Sequence, residues 1–140
     1  MGRILCATRG GEDSKRTQQA AIALAQERGD ELVFLYVADA SFLDTIAAPV
    51  VVDVQLELDQ MGRFQLALAQ EQAAEQGVAA RIEIRHGHLH TELIAAAREL
   101  GISLVVLGRP QGPTAIFDET DQEGFAAEIA EKTPAEVRIV

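Results

Sequence analysis

The chain is short of several residue types, and each shortage excludes something. It has one cysteine among 140 residues, Cys6, so no internal disulfide can staple it, and a lone thiol suits a reducing compartment. Tryptophan is missing, tyrosine occurs once and aromatics make up 4 %. Basic residues are scarce: 12 Lys and Arg face 22 Asp and Glu, a formal charge of −10 that rises only to −7 with all three histidines protonated. Such a field repels DNA, RNA and anionic lipid. No apolar run approaches the ~20 residues of a membrane span, and Met1-Gly2-Arg3-Ile4 opens no signal peptide. These absences predict a cytoplasmic chain with no nucleic-acid partner and no membrane insertion.

What is present is ordinary globular material. The 48 % apolar and 24 % charged fractions are those of a folded protein. A chain of this length buries roughly two-thirds of its unfolded surface, which predicts one domain over residues 1–140 without disulfide or metal support. No repeat, low-complexity tract or linker divides it.

Strand and helix patterns alternate. Arg3 to Thr8 is a short apolar run ending in Arg9-Gly10-Gly11, as expected of a strand covered on both faces. Asp13 or Ser14 caps a helix carrying Ala21, Leu24 and Ala25 that stops at Gly29. Glu31 to Val37 reads as a second strand, and Ala38 to Pro49 as a loop. A long helix is expected from Asp53 to Gln76, with Leu58, Met61, Gln65, Leu68 and Gln72 spaced by three and four. Val78 to His86 is a third strand. Thr91 is expected to cap a helix that Gly101 closes, and Ile102 to Leu107 is the most strand-like stretch of the chain. A loop from Arg109 to Glu123, a short helix with Phe125 and Ile129, and a last strand from Glu136 to Val140 complete the pattern. Five strands alternating with four helices predict an α/β fold with an open, mostly parallel five-stranded sheet flanked by helices. Ligands in such sheets sit beyond the carboxyl ends of the strands, where the winding reverses. The loops around Arg9 and Arg109 are therefore the first candidate site.

The order of these segments resembles the universal stress protein (UspA-like) family over essentially the whole chain. The opening Ile4-Leu5-Cys6-Ala7-Thr8-Arg9-Gly10-Gly11-Glu12-Asp13-Ser14 is similar to the family's Ile-Leu-Val-x-x-Asp-Gly-Ser-x-x-Ser. Leu35-Tyr36-Val37 stands where members end a strand in Leu-His-Val, and Ser103 to Gly108 where they read Asp-Leu-Ile-Val-Met-Gly. The resemblance implies a Rossmann-like or flavodoxin-like sheet of order 3-2-1-4-5, homodimers, and a role in stress responses. It also implies a nucleotide crevice lined by Ala7, Thr8 and Arg9, by Val37, by Gly108, Arg109, Gln111 and Gly112, and by Gly124 and Phe125.

The chain departs from the ATP-binding members at each diagnostic point. Their first-strand Asp is Arg9 here, and a guanidinium has five donors and no acceptor, so it cannot receive sugar or adenine hydrogen bonds. It suits a phosphate or carboxylate instead. In the Gly-x2-Gly-x9-Gly-Ser/Thr motif, Gly108 is kept, Gln111 replaces the second glycine with Gly112 one place late, and the terminal pair falls on Glu123-Gly124. Asp118, Glu119, Asp121 and Glu123 would each repel a phosphate by ~1 kcal/mol at 4 Å even in water. The expectation is weak or altered nucleotide binding, with AMP, another nucleotide or some other anionic small molecule left open as ligand.

Other candidates carry less. His86, His88 and His90 alternate near the end of the third strand, but Gly87 and the coming helix predict a bend, so they are read as surface histidines without an assigned role. Cys6, flanked by Leu5 and Ala7, is read as a small buried hydrophobe. No acid, base and nucleophile set is spaced for catalysis. Three classes of function follow: a non-catalytic stress-response module, a ligand-sensing module for a nucleotide or cyclic dinucleotide that regulates a transporter or kinase, and an enzyme of unrecognised chemistry. The last strand, Glu136 to Val140, lacks Pro, Lys and Gly and is expected to pair two copies antiparallel around Arg138.

Overall fold

The computed structural model describes residues 2–7, 12–38, 48–108 and 119–140, and for 12–14, 48–59 and 119–123 it describes the backbone alone. In chain order the elements are β1 (Arg3–Ala7), α1 (Glu12–Arg28), β2 (Glu31–Ala38), α2 (Ala48–Glu75), β3 (Ala80–His86), α3 (Leu89–Glu99), β4 (Leu104–Leu107), α4 (Glu119–Lys132) and β5 (Glu136–Ile139). The strands form one sheet in the order β3-β2-β1-β4-β5. Every strand pair is parallel, so the expected mostly parallel sheet is parallel throughout.

Strand alternation divides the core in two. Ile4 and Cys6 of β1, Leu32 and Phe34 of β2, and Leu104 and Val106 of β4 point to the side covered by α1 and α2. Leu5, Val33, Leu35, Val105 and Leu107 point to the side covered by α3 and α4. This is why the three central strands read as continuous apolar runs. The edge strands are only half covered, and β5 alternates exposed and half-buried residues.

Three helices end in one device. Gly29, Gly77 and Gly101 have φ of 68°, 73° and 64°, a left-handed conformation that glycine adopts without a Cβ penalty. The next amide in each case bonds back five residues: Asp30 to Ala25 O, Val78 to Ala73 O and Ile102 to Ala97 O, at 2.9 to 3.0 Å. These are Schellman ends, and each turns the chain into the following strand. The expected stops at Gly29, Gly77 and Gly101 are therefore correct.

The starts differ from expectation. α1 begins at Glu12, ahead of the expected cap at Asp13 or Ser14, and α4 begins at Glu119, inside the expected loop. Both openings are acidic in sequence, and a helix amino terminus favours negative charge. α2 begins at Ala48 rather than Asp53, which places Pro49 in its first turn, where a missing N–H costs nothing. The cap of α3 is His88, not Thr91. Gly87, at φ 133°, turns the chain directly after β3, so it is already helical at Leu89. The buried side of α2 also differs: Leu66, Ala69 and Ala73 pack on the sheet, whereas Met61 and Leu68 of the expected stripe are exposed. Gly62 belongs to the buried side because a Cβ there would lie 2.5 Å from Tyr36 Cδ1.

Candidate functional site

β1 lies between β2 and β4. The chain leaves β1 into α1 on one side of the sheet and leaves β4 towards α4 on the other. The winding therefore reverses at the carboxyl ends of β1 and β4, the place where open α/β sheets hold their ligands. Ala7 ends β1, Val37 and Ala38 end β2, and Gly108 follows β4. Ala7 and Val37 are half-buried and pack toward the α3/α4 side of the core. Ala38 O accepts a hydrogen bond from the Gly87 amide at 3.2 Å, which ties the ends of β2 and β3 together.

Of the ten candidate site residues, the structure brings Ala7, Val37 and Gly108 to this edge. Thr8, Arg9, Arg109, Gln111 and Gly112 lie outside the described residues. Gly124 and Phe125 sit in the second turn of α4 rather than at a helix start. Gly124 is exposed, and a Cβ there would meet nothing within 4 Å. Phe125 is buried in the α3/α4 side of the core and stacks on His90, with ring centroids 3.8 Å apart and planes 11° apart. Its ring is thus used in packing α4 against α3. Beside it, a hydrogen bond from Lys132 holds the Glu128 carboxyl below the usual carboxylate range.

Gly108 has a different neighbour. Its missing Cβ makes room for Thr17 Oγ1 of α1, and Thr17 is 4 % exposed. Thr17 and the equally buried Gln18 form the inner side of α1 where it follows β1. Lys15 and Arg16 precede them and are exposed, and Arg16 Nη2 donates to Val140 O at 3.3 Å. Val140 N in turn donates to Leu107 O at 2.9 Å. α1 therefore contributes two cations to the carboxyl edge of the sheet. The motifs did not point to these residues, since they lie outside the glycine pattern. The signal available was the adjacent Lys15-Arg16 in an acidic chain, immediately after the first βα turn.

Cys6 is fully buried in β1, and burial pushes its thiol up to about 12. It is protonated at neutral pH and is neither nucleophile nor ligand in this state. His86 ends β3, His88 caps α3 and His90 faces Phe125, so the bend separates the three. Among the described residues, no three His, Cys, Asp or Glu side chains are grouped as a metal ion requires. Nor, among them, is any helix long and apolar enough to cross a membrane.

A parallel sheet of order 3-2-1-4-5 whose winding reverses between β1 and β4 defines a Rossmann-like α/β protein. Residues 1–117 match the family model for the universal stress protein family, and the chain belongs to that family. It is 31 % identical to the universal stress protein YxiE of Bacillus subtilis over 114 residues, 76 % of this chain and 77 % of that one. Its fold is similar to universal stress protein UspA from Lactobacillus plantarum, with a TM-score of 0.80 and 20 % identity over 99 % of this chain and 97 % of that one. It is also similar to a universal stress protein crystallised in complex with cAMP, with a TM-score of 0.70 and 22 % identity over 99 % and 96 % of the two chains.

Proposed function

We propose that this chain is a homodimeric, non-catalytic stress-response module whose β1/β4 crevice takes a nucleotide more weakly than, or differently from, the ATP-binding pattern. The carrying observation is the carboxyl edge itself: Ala7 and Gly108 face the divergence and α1 adds Lys15 and Arg16 there. Arg9 and Arg109 follow the two strands in sequence and add two more cations to the same connections. Lys15 and Arg16 at this edge, with Arg9 and Arg109 next in sequence to its strands, favour a phosphate-bearing ligand in a −10 chain. The replacements at Arg9 and Gln111 remove an acceptor and a close backbone approach, which weighs against the usual ATP mode.

A second reading has one observation in its favour. The neighbour that binds cAMP has the same fold, so a module sensing a cyclic nucleotide or dinucleotide fits the same crevice. Thermal shift against ATP with Mg²⁺, AMP, cAMP and cyclic di-AMP separates the two, alongside mass spectrometry of small molecules released from the purified protein. A ligand at 100 times its dissociation constant adds ~2.7 kcal/mol, several degrees for a domain of this size. A shift of that size with AMP but little with ATP supports the first reading, and one with a cyclic nucleotide alone supports the second. A clear shift with millimolar ATP that Arg9→Ala and Arg109→Ala leave unchanged would mean that the ordinary mode survives. If a phosphate ligand is found, each of those substitutions is expected to cost ~1.5–3 kcal/mol of binding.

A further inference from the structure

α2 covers the sheet with one side and leaves an apolar stripe on the other. Met61, Phe64 and Leu68, at i, i+3 and i+7, are 62 %, 63 % and 42 % exposed. They are large side chains on one face, not scattered single positions, and contiguous apolar surface of this kind marks an interaction site. At about 100° per residue the same face continues through Gln72 to Glu75 and Gln76. Those three form one wall of a groove of about 370 Å³ whose other wall is Gln19, Ile22 and Gln26 of α1. Gln26 Nε2 donates to Gln76 O at 3.0 Å and ties the two walls. Gln72 Oε1 is buried and has no hydrogen-bond partner. A buried acceptor left unpaired is costly, so the groove end is suited to an incoming N–H.

Charge selects the occupant. The chain carries a formal charge of −10, and Glu71 and Glu75 stand at the groove end of this face. A second copy would lay like charge against itself, whereas a basic segment is attracted. An apolar stripe with three- and four-residue spacing fits the matching stripe of a helix. The first amides of a helix are unpaired, and its amino terminus favours nearby carboxylates. Gln72 Oε1, Glu71 and Glu75 supply both at one end. We propose that the outer face of α2, from Met61 to the α1/α2 groove, docks a basic amphipathic helix of a partner protein, with the amino terminus of that helix at the Gln72–Glu75 end. α2 ends at Glu75 just before β3 begins at Ala80, so this end lies at the amino edge of the sheet, away from the β1/β4 crevice. The docked helix and a crevice ligand therefore do not compete.

The test uses a fluorescent 18-residue peptide of Leu and Lys with leucines on one helical face, titrated by anisotropy against the full chain. Saturable binding is expected, weakened at least tenfold by Phe64→Ser and by Met61→Ser with Leu68→Ser. A peptide of the same composition, permuted to destroy the face, is expected to bind at least tenfold more weakly, and a Leu/Glu peptide not at all. The substituted side chains are exposed, so the melting temperatures of the variants are expected to match the parent. Equal binding of the permuted peptide, or undiminished binding by Phe64→Ser, overturns the proposal. So does a dimer that Phe64→Ser alone converts to monomer, since the stripe would then be covered by a second copy.

Discussion

Gly108, at the carboxyl end of β4, is held to glycine by Thr17 of α1. A Cβ at Gly108 would overlap Thr17 Oγ1, which is fixed in a buried position. The glycine that opens the nucleotide motif thus has a reason internal to the fold, independent of any ligand. Gly108→Ala is expected to destabilise by about 1–3 kcal/mol through overpacking. Combined with Thr17→Ala, it is expected to cost less than the sum of the two single changes, because they share one contact. Chemical denaturation of the four proteins measures this, and strictly additive losses would contradict it.

Gly124 behaves oppositely. It lies in the interior of α4 with open space where a Cβ would go. Gly124→Ala is expected to stabilise the protein by about 0.5–1 kcal/mol, the helix-propensity difference. A rise in melting temperature with unchanged affinity for a crevice ligand would mean that this glycine makes no phosphate contact. A stabilised variant that no longer binds would place Gly124 in the site.

Burial of Cys6 predicts both its reactivity and a pH dependence. The thiol is expected to resist an aromatic disulfide reagent at pH 8 in the native state and to react once unfolded. Its folded pKa is raised from 9.0 to about 12, so the folded state holds the proton more tightly. The resulting stability is present below pH 9 and is lost between pH 9 and 12, at ~1.4 kcal/mol per pH unit. Melts from pH 8 to 10.5 are expected to fall more steeply for the parent than for Cys6→Ala.

The edge strand β5 directs the test of dimerisation. Glu136 N bonds to Ser103 O and Val140 N to Leu107 O, so alternate amides from Glu136 onward face β4, that of Arg138 included. The amides of Val137 and Ile139 face away from the sheet. A proline at Arg138 would damage the chain's own sheet, whereas Val137→Pro removes an outward donor. Light scattering at micromolar concentration is expected to give about twice the 15.1 kDa chain mass for the parent and for Val137→Ala, and the single-chain mass for Val137→Pro. A parent of 15.1 kDa rules out the dimer, and a Val137→Pro dimer moves the interface elsewhere.

Element order, strand count and the three glycine helix ends were readable in the sequence because each rests on local chemistry. Alternation of apolar runs marks strands, and a left-handed residue after a helix calls for glycine. Cys6 was readable for the same reason, as part of a run that only burial on both faces explains. Helix starts were less readable. His88 caps α3 because Gly87 turns the chain at φ 133°, and that angle is set by where β3 and α3 pack. The buried side of α2 is not legible in the sequence because polar and apolar residues lie on both sides of it. Gly62 and the small Ala69 and Ala73 let the helix approach Tyr36 and the sheet, so closeness decided the face over hydrophobicity.

The candidate site divides along the same line. By itself the sequence determined that the ATP pattern is altered at Arg9 and Gln111, because acceptor chemistry and glycine geometry belong to residue type. Tertiary structure alone decided what Gly108 and Phe125 pack against. Gly108 answers to Thr17, 91 positions earlier in the chain, and Phe125 answers to His90. It also brought Lys15 and Arg16 to the carboxyl edge, with Arg16 on the carbonyl of Val140. Such pairings depend on the close approach of helices and strands distant in sequence, and that distance is set only when the two layers of helices pack on the sheet.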